Sequence, residues 1–280
     1  MPVLLISRGS FSGGQMIAEC LAASAGWCCL MREDLVSVVN TRGELANRII
    51  ETIGRAAENY AKFSVLRRPY KILMRLALLE YVRKGGNVAY FGYSAHLLLP
   101  PIAHTIRIRL LASMELRVAH HMAQDNYTKE QAREHIRQVD EERSRWTRFM
   151  YGKNLRDPEL FDLCINVDRL SVGGVCSVLV DIASHAQFQP QPGSIAAVEN
   201  LYLATKVLAA LVTDPSTAGI EIGAVAENGR VQLEGPYLEE PALAAVLEVA
   251  KAVPGVQELE YAEGYSPGFE MAFGHEEVLK

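Results

Sequence analysis

The residues best placed to do chemistry open the chain, where Pro2 to Ala18 read PVLLISRGSFSGGQMIA. A short apolar run ends in a glycine- and serine-rich turn, which leads straight into a helix-like stretch, Ile17 to Ala25. In that order, glycines let backbone N–H groups approach phosphate oxygens while the helix N-terminus adds positive potential. The consensus phosphate loop G-x-x-x-x-G-K-[ST] places a lysine after its last glycine. Counting from Gly9 puts Gln15 and Met16 where Lys and Ser/Thr belong, and taking Ser12-Gly13-Gly14 as the glycine-rich end puts Gly14 at the lysine. Both registers lack the lysine. Arg8, just before the loop, is the cation that can stand in for part of its charge. The candidate phosphate-binding set is therefore Arg8, Gly9, Ser10, Ser12, Gly13, Gly14 and Gln15.

Handling phosphoryl groups demands positioning and charge neutralisation more than covalent chemistry. Arg117, Arg143, Arg145 and Arg148 lie on a strongly charged helical stretch and can supply that charge. The plain alternative is a solvated helix face. Other constellations are weaker. His120 and His121 are adjacent, so on a helix they point roughly 100° apart and do not share a metal easily. No carboxylate or thiol cluster stands at ligand spacing, so metal binding by protein side chains is not expected. There is no G-x-S-x-G elbow: Gly9-Ser10-Phe11-Ser12-Gly13 has Phe at its centre. The aromatic residues are scattered, which argues against a platform for single-stranded nucleic acid.

The elements that must position these residues can be read from the pattern. Of 280 residues 49% are apolar, enough for one large domain or two. Val3–Ser7 reads as a buried strand, with further parallel strands expected at Asn87–Phe91, Thr105–Ala112 and Leu163–Val167. Helices are expected at Ile17–Ala25, Arg32–Val39, Glu44–Lys62, Tyr70–Lys84, Glu115–Met150 and Ser171–His185, with a break at Arg67-Arg68-Pro69. Asn126-Tyr127-Thr128 divides the long helical stretch, and Thr128 to Gln131 has the form of a capping box. Alternating strands and helices imply a parallel sheet with helices on both faces. Ala186–Ser194, rich in Gln and Pro, reads as a linker within the segment 186–195. Beyond it come a helix (Val198–Val212), two strands (Ile220–Ala226, Arg230–Glu234) joined at Glu227-Asn228-Gly229, a second helix (Pro241–Val253) and a last strand (Val256–Tyr261), an α-β-β-α-β order. The tail after Gly264 is expected to be mobile.

Charge is unevenly spread. Residues 196–280 carry four basic and 14 acidic side chains, a net of −10, against +5 for the rest. That split points to two units with different jobs. The overall net of −5 gives no reason to expect nucleic-acid binding. No apolar run is expected to approach the roughly 20 residues of a membrane span, and Arg8 interrupts the short one at the start. Five cysteines, none in a CxxC, read as buried free thiols. A cytoplasmic protein is expected.

Ile6-Ser7-Arg8, Ser12-Gly13-Gly14 and Ile17-Ala18 together resemble the opening of the cytidylate-kinase-like family, a branch of the P-loop nucleoside monophosphate kinases that reads I-S-R-x-x-G-S-G-G-x-x-I-A. That family already has Gly at the lysine position. Met31-Arg32-Glu33 is similar to its Y-D-R-E segment, Gly92-Tyr93-Ser94-Ala95-His96 to its G-R-x-A-D turn, and Glu115-Leu116-Arg117-Val118 to the E-x-R-[VI] that opens the lid. The best match runs from Asp140-Glu141-Glu142-Arg143 through Tyr151-Gly152-Lys153 to Asp157–Asn166, against D-x-x-R and D-P-x-x-Y-D-L-x-I-N. The resemblance spans about residues 3–185 and implies an αβα P-loop fold with a helical lid over residues 1–185. It further implies ATP-dependent phosphorylation of a CMP-like nucleoside monophosphate, with Mg²⁺ held through the nucleotide phosphates. Gly13 and Gly14 would cradle the donor, Arg117 would lie over its base, Arg143 and Arg145 would reach its phosphates, and Arg32 and Tyr93 would face the acceptor.

The chain departs from the family pattern at several of these positions. Met31 replaces Asp, Tyr93 replaces an Arg that would hold the acceptor phosphate, His96 replaces Asp, Phe11 replaces a loop glycine and Met16 removes a polar group near the metal. One lost charge-assisted bond is worth about 1.5–3 kcal/mol. Two functions are thus expected: a kinase with a degenerate loop and altered acceptor site, or a weak or inactive nucleotide sensor. A purely structural domain is the third.

The unit at 196–264 resembles a BON domain, in Asn228-Gly229-Arg230-Val231-Gln232-Leu233-Glu234-Gly235 and in Val253-Pro254-Gly255-Val256. The resemblance implies a small αββαβ domain that takes a protein partner or a small ligand. Its acidic balance argues against an anionic membrane and points to regulation or assembly, with oligomerisation left open.

Overall fold

The structure, a computed structural model, describes residues 2–54 and 64–264. The helical reading of 55–62 and the tail after Gly264 lie outside the described residues.

Five parallel strands form the first sheet: β1 (Val3–Arg8), β2 (Cys28–Met31), β3 (Val88–Gly92), β4 (Thr105–Leu111) and β5 (Leu163–Asn166), in the order β2-β3-β1-β4-β5. The central β1 is buried on both faces, as its unbroken apolar run requires. Its side chains alternate between two cores. Leu4 and Ile6 pack with Ile17, Leu21, Val175 and Leu179, which come from α1 (Gly14–Ala25) and α7 (Val172–Ser184). Val3 and Leu5 pack on the opposite face with α2 (Arg32–Asn40), α3 (Glu44–Gly54) and α4 (Ser64–Arg83). The remaining helices of this unit, α5 (Met114–Gln124) and α6 (Lys129–Tyr151), form a flap beyond the C-terminal end of β4.

Three details differ from the sequence reading. β2 is an additional strand, four residues long at the sheet edge and too short to show a period. Arg67-Arg68-Pro69 does not break the chain: Pro69 sits in the second turn of α4, buried together with Tyr70, Ile72 and Leu73. One lost backbone hydrogen bond near a helix start costs less than that burial returns. Helix α8 (Pro192–Thr213) begins inside the segment read as a linker, with Pro192 in its first turn. Ser194 is buried there, its Oγ 2.9 Å from His104 Nδ1.

After α8 come β6 (Gly223–Glu227), β7 (Arg230–Gly235), α9 (Glu240–Lys251) and β8 (Glu258–Glu263). β6 and β7 are antiparallel, while β7 and β8 are parallel. Asn228 (φ 50°) and Gly229 (φ 88°) make the left-handed two-residue turn that an Asn-Gly hairpin demands. Ala224, Val231, Leu233, Val246 and Ala250 pack against α8, which also lies along α4. The stretch Ala186–Thr213 is long and apolar enough to cross a membrane by length and composition, and half of its most apolar window is buried inside the protein.

Candidate functional site

The loop between β1 and α1 has two residues in the left-handed region, Phe11 (φ 55°) and Gly13 (φ 78°). Gly13 is the N-cap of α1, and no side chain caps this helix or places an acid in its first turn. The first amides of α1 therefore point out of the loop with no acidic partner, the arrangement that accepts a phosphate oxygen. Ser12 Oγ donates back to the Gly9 carbonyl at 2.9 Å and stiffens the turn. Gln15 faces outward and bonds Glu19 at 3.1 Å.

Phe11 is tied to the flap. Its ring stacks on His121 at 3.8 Å with an interplanar angle of 16°, and its carbonyl lies 3.0 Å from His120 Nδ1. A carbonyl only accepts, so His120 carries its proton on Nδ1 in this contact. Tyr127 and His135 complete the aromatic cluster, and His121 Nε2 is 2.7 Å from His135 Nδ1.

Arg117 makes the second tie. Buried on α5, it donates to the Ser10 carbonyl (2.8 Å) and Ser10 Oγ (2.6 Å), and it forms a bidentate pair with Asp140 of α6 (2.8 and 2.7 Å). Ser10 Oγ in turn donates to Asp140 at 3.0 Å. With every guanidinium nitrogen engaged, Arg117 offers a nucleotide base only the flat face of its plane. It packs close to Gly9, where an added Cβ would lie 3.7 Å from its Cζ.

A cavity of about 320 Å³ opens beside the loop, lined at its polar side by Arg8, Arg32, Glu33, Glu142 and Arg143 and elsewhere by Tyr70, Met74, Tyr90, Tyr93, Trp146 and Tyr151. Each strand or helix delivers its residue by local rules. Asp34 accepts the Met31 N–H at 2.6 Å, which starts α2 and sets Arg32 at its first position, where Arg32 Nε donates to Tyr70 Oη at 3.2 Å. Tyr93 follows β3, and the Arg143 guanidinium lies over its ring at 3.8 Å. Arg143 Nε and Nη1 and Arg8 Nε are buried without a hydrogen-bond partner. Burial lowers the Arg143 pKa from its ordinary value, Tyr93 opposes that, and the neighbouring Arg8 charge adds to the lowering. Two guanidiniums sharing one cavity with nitrogens to spare make an anion site.

The structure thus brings Arg8, Arg32, Tyr93 and Arg143 to one cavity and joins Ser10 to Arg117. It does not bring Arg145 there: two residues on from Arg143, that side chain is exposed on another flank of α6. Sequence reasoning did not find the aromatic wall of Tyr70, Tyr90, Trp146 and Tyr151, which comes from three elements with no shared motif, nor Asp140 as the partner of Arg117. Among the described residues no group of three or more His, Cys, Asp or Glu side chains is arranged to hold a metal. Met16 stands where a loop hydroxyl would be, and Ser10 and Ser12 are spent within the site, so Mg²⁺ would be carried by nucleotide phosphates. The uncapped α1 terminus and the orphaned arginine nitrogens fit the phosphates of such a nucleotide.

A parallel sheet whose central strand runs through a glycine loop into an open helix terminus, under an arginine-bearing flap, defines a P-loop kinase-like protein. The chain belongs to the cytidylate kinase-like family, whose model matches residues 3–169. No curated protein matches it. Among solved structures it is similar to an uncharacterized protein from Eubacterium ventriosum, at 16% identity over 66% of this chain and 100% of that one, with a TM-score of 0.48. It is also similar to a shikimate kinase from Bacteroides thetaiotaomicron (12% identity, 66% and 99% covered, TM-score 0.39) and a gluconokinase from Sinorhizobium meliloti (13%, 68% and 97%, TM-score 0.38).

Proposed function

We propose that this protein transfers a phosphoryl group from ATP, with Mg²⁺ bound through the phosphates, to a CMP-like nucleoside monophosphate in the cytoplasm. The observation that supports this reading is the convergence of Arg8 and Arg143, with buried nitrogens unpartnered, on one cavity, the stem of Arg8 also crossing the uncapped N-terminus of α1 at Gly14. In this reading the Gly13–Gln15 amides hold the donor phosphates. Arg143 follows the transferring group, Arg32 holds the acceptor, and Tyr93 supports Arg143 from below. The test is an ADP-release assay with ATP-Mg²⁺ against CMP, dCMP, UMP, AMP and GMP, with ATP binding followed on the same sample. Arg143→Ala is expected to lower turnover about 10²–10³-fold, the usual cost of removing a donor aimed at transition-state charge. Turnover unchanged in that variant would remove Arg143 from the mechanism.

A second reading is a nucleotide sensor. Its support is α4, which places Tyr70 and Met74 in the cavity wall and packs along α8 of the C-terminal unit. A ligand in the cavity would then bias a BON-like αββαβ unit that carries the signal to a partner. This reading expects ATP binding without acceptor-dependent turnover in the same assay.

A further inference from the structure

Gly13 and Gly14 are glycines for different reasons. Gly13 has φ 78°, so its backbone alone excludes most side chains. Gly14 does not: it opens α1, and its φ is outside the left-handed region. A side chain there would have to displace Arg8. A Cβ built on Gly14 would lie 2.2 Å from Arg8 Cδ, 2.9 Å from Arg8 Nε and 3.5 Å from Arg8 Cγ, and these are its three nearest atoms. Arg8 is the last residue of β1, and its stem crosses directly over the first residue of α1.

We infer that Arg8 and a lysine at position 14 are mutually exclusive solutions to one problem, and that Arg8 is the phosphate-contacting cation of this loop. The proposal rests on the kinase reading for its ligand, a phosphoryl group, and goes beyond it in saying how the loop works without its lysine. A lysine at 14 would send its ammonium from the helix toward the phosphates. Here the charge arrives from the strand instead, along a path that the missing Cβ leaves open. Its Nε is buried without a hydrogen-bond partner, and its guanidinium shares the cavity with that of Arg143. The pair forms a two-arginine clamp for one phosphoryl group, each guanidinium offering a planar fork of donors. The loop has not lost its cation; it has moved the cation six residues upstream, and position 14 follows as glycine.

The test is a four-way exchange read by binding rather than by turnover. Calorimetry with inorganic pyrophosphate is run on the full chain and on Arg8→Met, Gly14→Lys and the double variant Arg8→Ala/Gly14→Lys, with thermal melts confirming that each folds. Arg8→Met is expected to weaken pyrophosphate at least tenfold. Gly14→Lys alone should also weaken it at least tenfold, because the two side chains contend for one space. The double variant should recover to within about threefold of the parent, since the three nearest atoms to a Cβ at position 14 all belong to Arg8. If Gly14→Lys fails to fold while the double variant folds and binds, the exclusion is shown by stability instead. Recovery absent in a folded double variant, or Arg8→Met binding like the parent, would overturn the proposal and leave the kinase reading standing. A parent chain that binds no pyrophosphate would overturn both.

Discussion

At the scale of single residues, His96 shows what a replaced carboxylate has become. It lies 2% exposed in the short helical turn Ala95–Leu97 after β3, with Nδ1 2.6 Å from Ser7 Oγ of β1. The contact fixes the turn that presents Tyr93 against the strand that ends in Arg8. Burial first, then the charges of Arg109 and Arg107, press the His96 pKa from 6.5 down to about 3. The folded protein therefore holds this ring neutral through a range in which the unfolded chain protonates it. Stability contributed by the neutral ring is intact above pH 6.5 and falls as pH drops toward about 3, because the unfolded state then binds the extra proton. One pKa unit corresponds to about 1.4 kcal/mol, so this group should cost about 3 kcal/mol between pH 7.5 and 4.5. His96→Asn keeps a polar partner for Ser7 and removes the titration. Urea unfolding of both proteins at pH 7.5, 5.5 and 4.5 should give a flatter pH dependence for the variant. Equal slopes would show that His96 protonates without opening the fold.

At the scale of elements, the glycine loop and the flap behave as one latched unit. Phe11 accepts a left-handed backbone, a conformation costing a non-glycine residue about 1–2 kcal/mol, and its ring is held on His121 beside the small core of Val118, Ala132 and Ile136. Arg117 and Asp140 clamp Ser10 from the same two helices. Phe11→Ala keeps a Cβ and deletes the stack, worth about 0.5–1.5 kcal/mol. Amide hydrogen exchange in α5 and the first half of α6 should then accelerate up to about tenfold, with α7 unchanged; equal acceleration everywhere would indicate global destabilisation instead of an opened latch. What was legible in the sequence follows the same division of scale. Local chemistry announced itself: Thr128 and Gln131 cap α6 reciprocally, Asn228-Gly229 turns the hairpin, and Ser7 to Gly14 carries the loop. Long-range packing did not. β2 is defined by pairing with β3, Pro69 by the burial around it, and the start of α8 by a contact between Ser194 and His104. The crossing of Arg8 over Gly14 was equally out of reach, since sequence order says only that one precedes the other.

At the scale of the whole molecule, α4 decides whether the two sheets can live apart. Ile72, Leu73, Met74, Leu76, Ala77, Leu78 and Leu79 are all at most 5% exposed, so most of the circumference of this helix is buried, apart from the half-buried flank of Lys71 and Arg75. A helix apolar on so wide a face must have protein over most of its surface. The first sheet with α2 and α3 covers part of it, and α8 covers more, joined by Val198, Leu201, Val207, Leu208 and Leu211 in one continuous core. Polar contacts decorate the seam: Arg83 pairs with Glu199 at 2.7 Å and lies over the Tyr202 ring at 3.8 Å, and Arg68 donates to the Ile222 carbonyl. The Arg83–Glu199 pair is partly exposed and worth about 0–1 kcal/mol, whereas each large apolar side chain uncovered costs about 1.5–3 kcal/mol. A chain ended after His185 should therefore lose several such contributions at once. We expect that fragment to bind a hydrophobic dye, to aggregate on warming, and to melt more than 10 °C below the full chain, which should unfold in a single transition. Tyr70 and Met74 lie on the same helix and line the cavity, so loosening α4 should also weaken nucleotide binding. A soluble monomeric fragment that melts within about 2 °C of the full chain and binds ATP equally would mean that the first unit is closed without α8, and that no signal from the cavity need reach the second sheet.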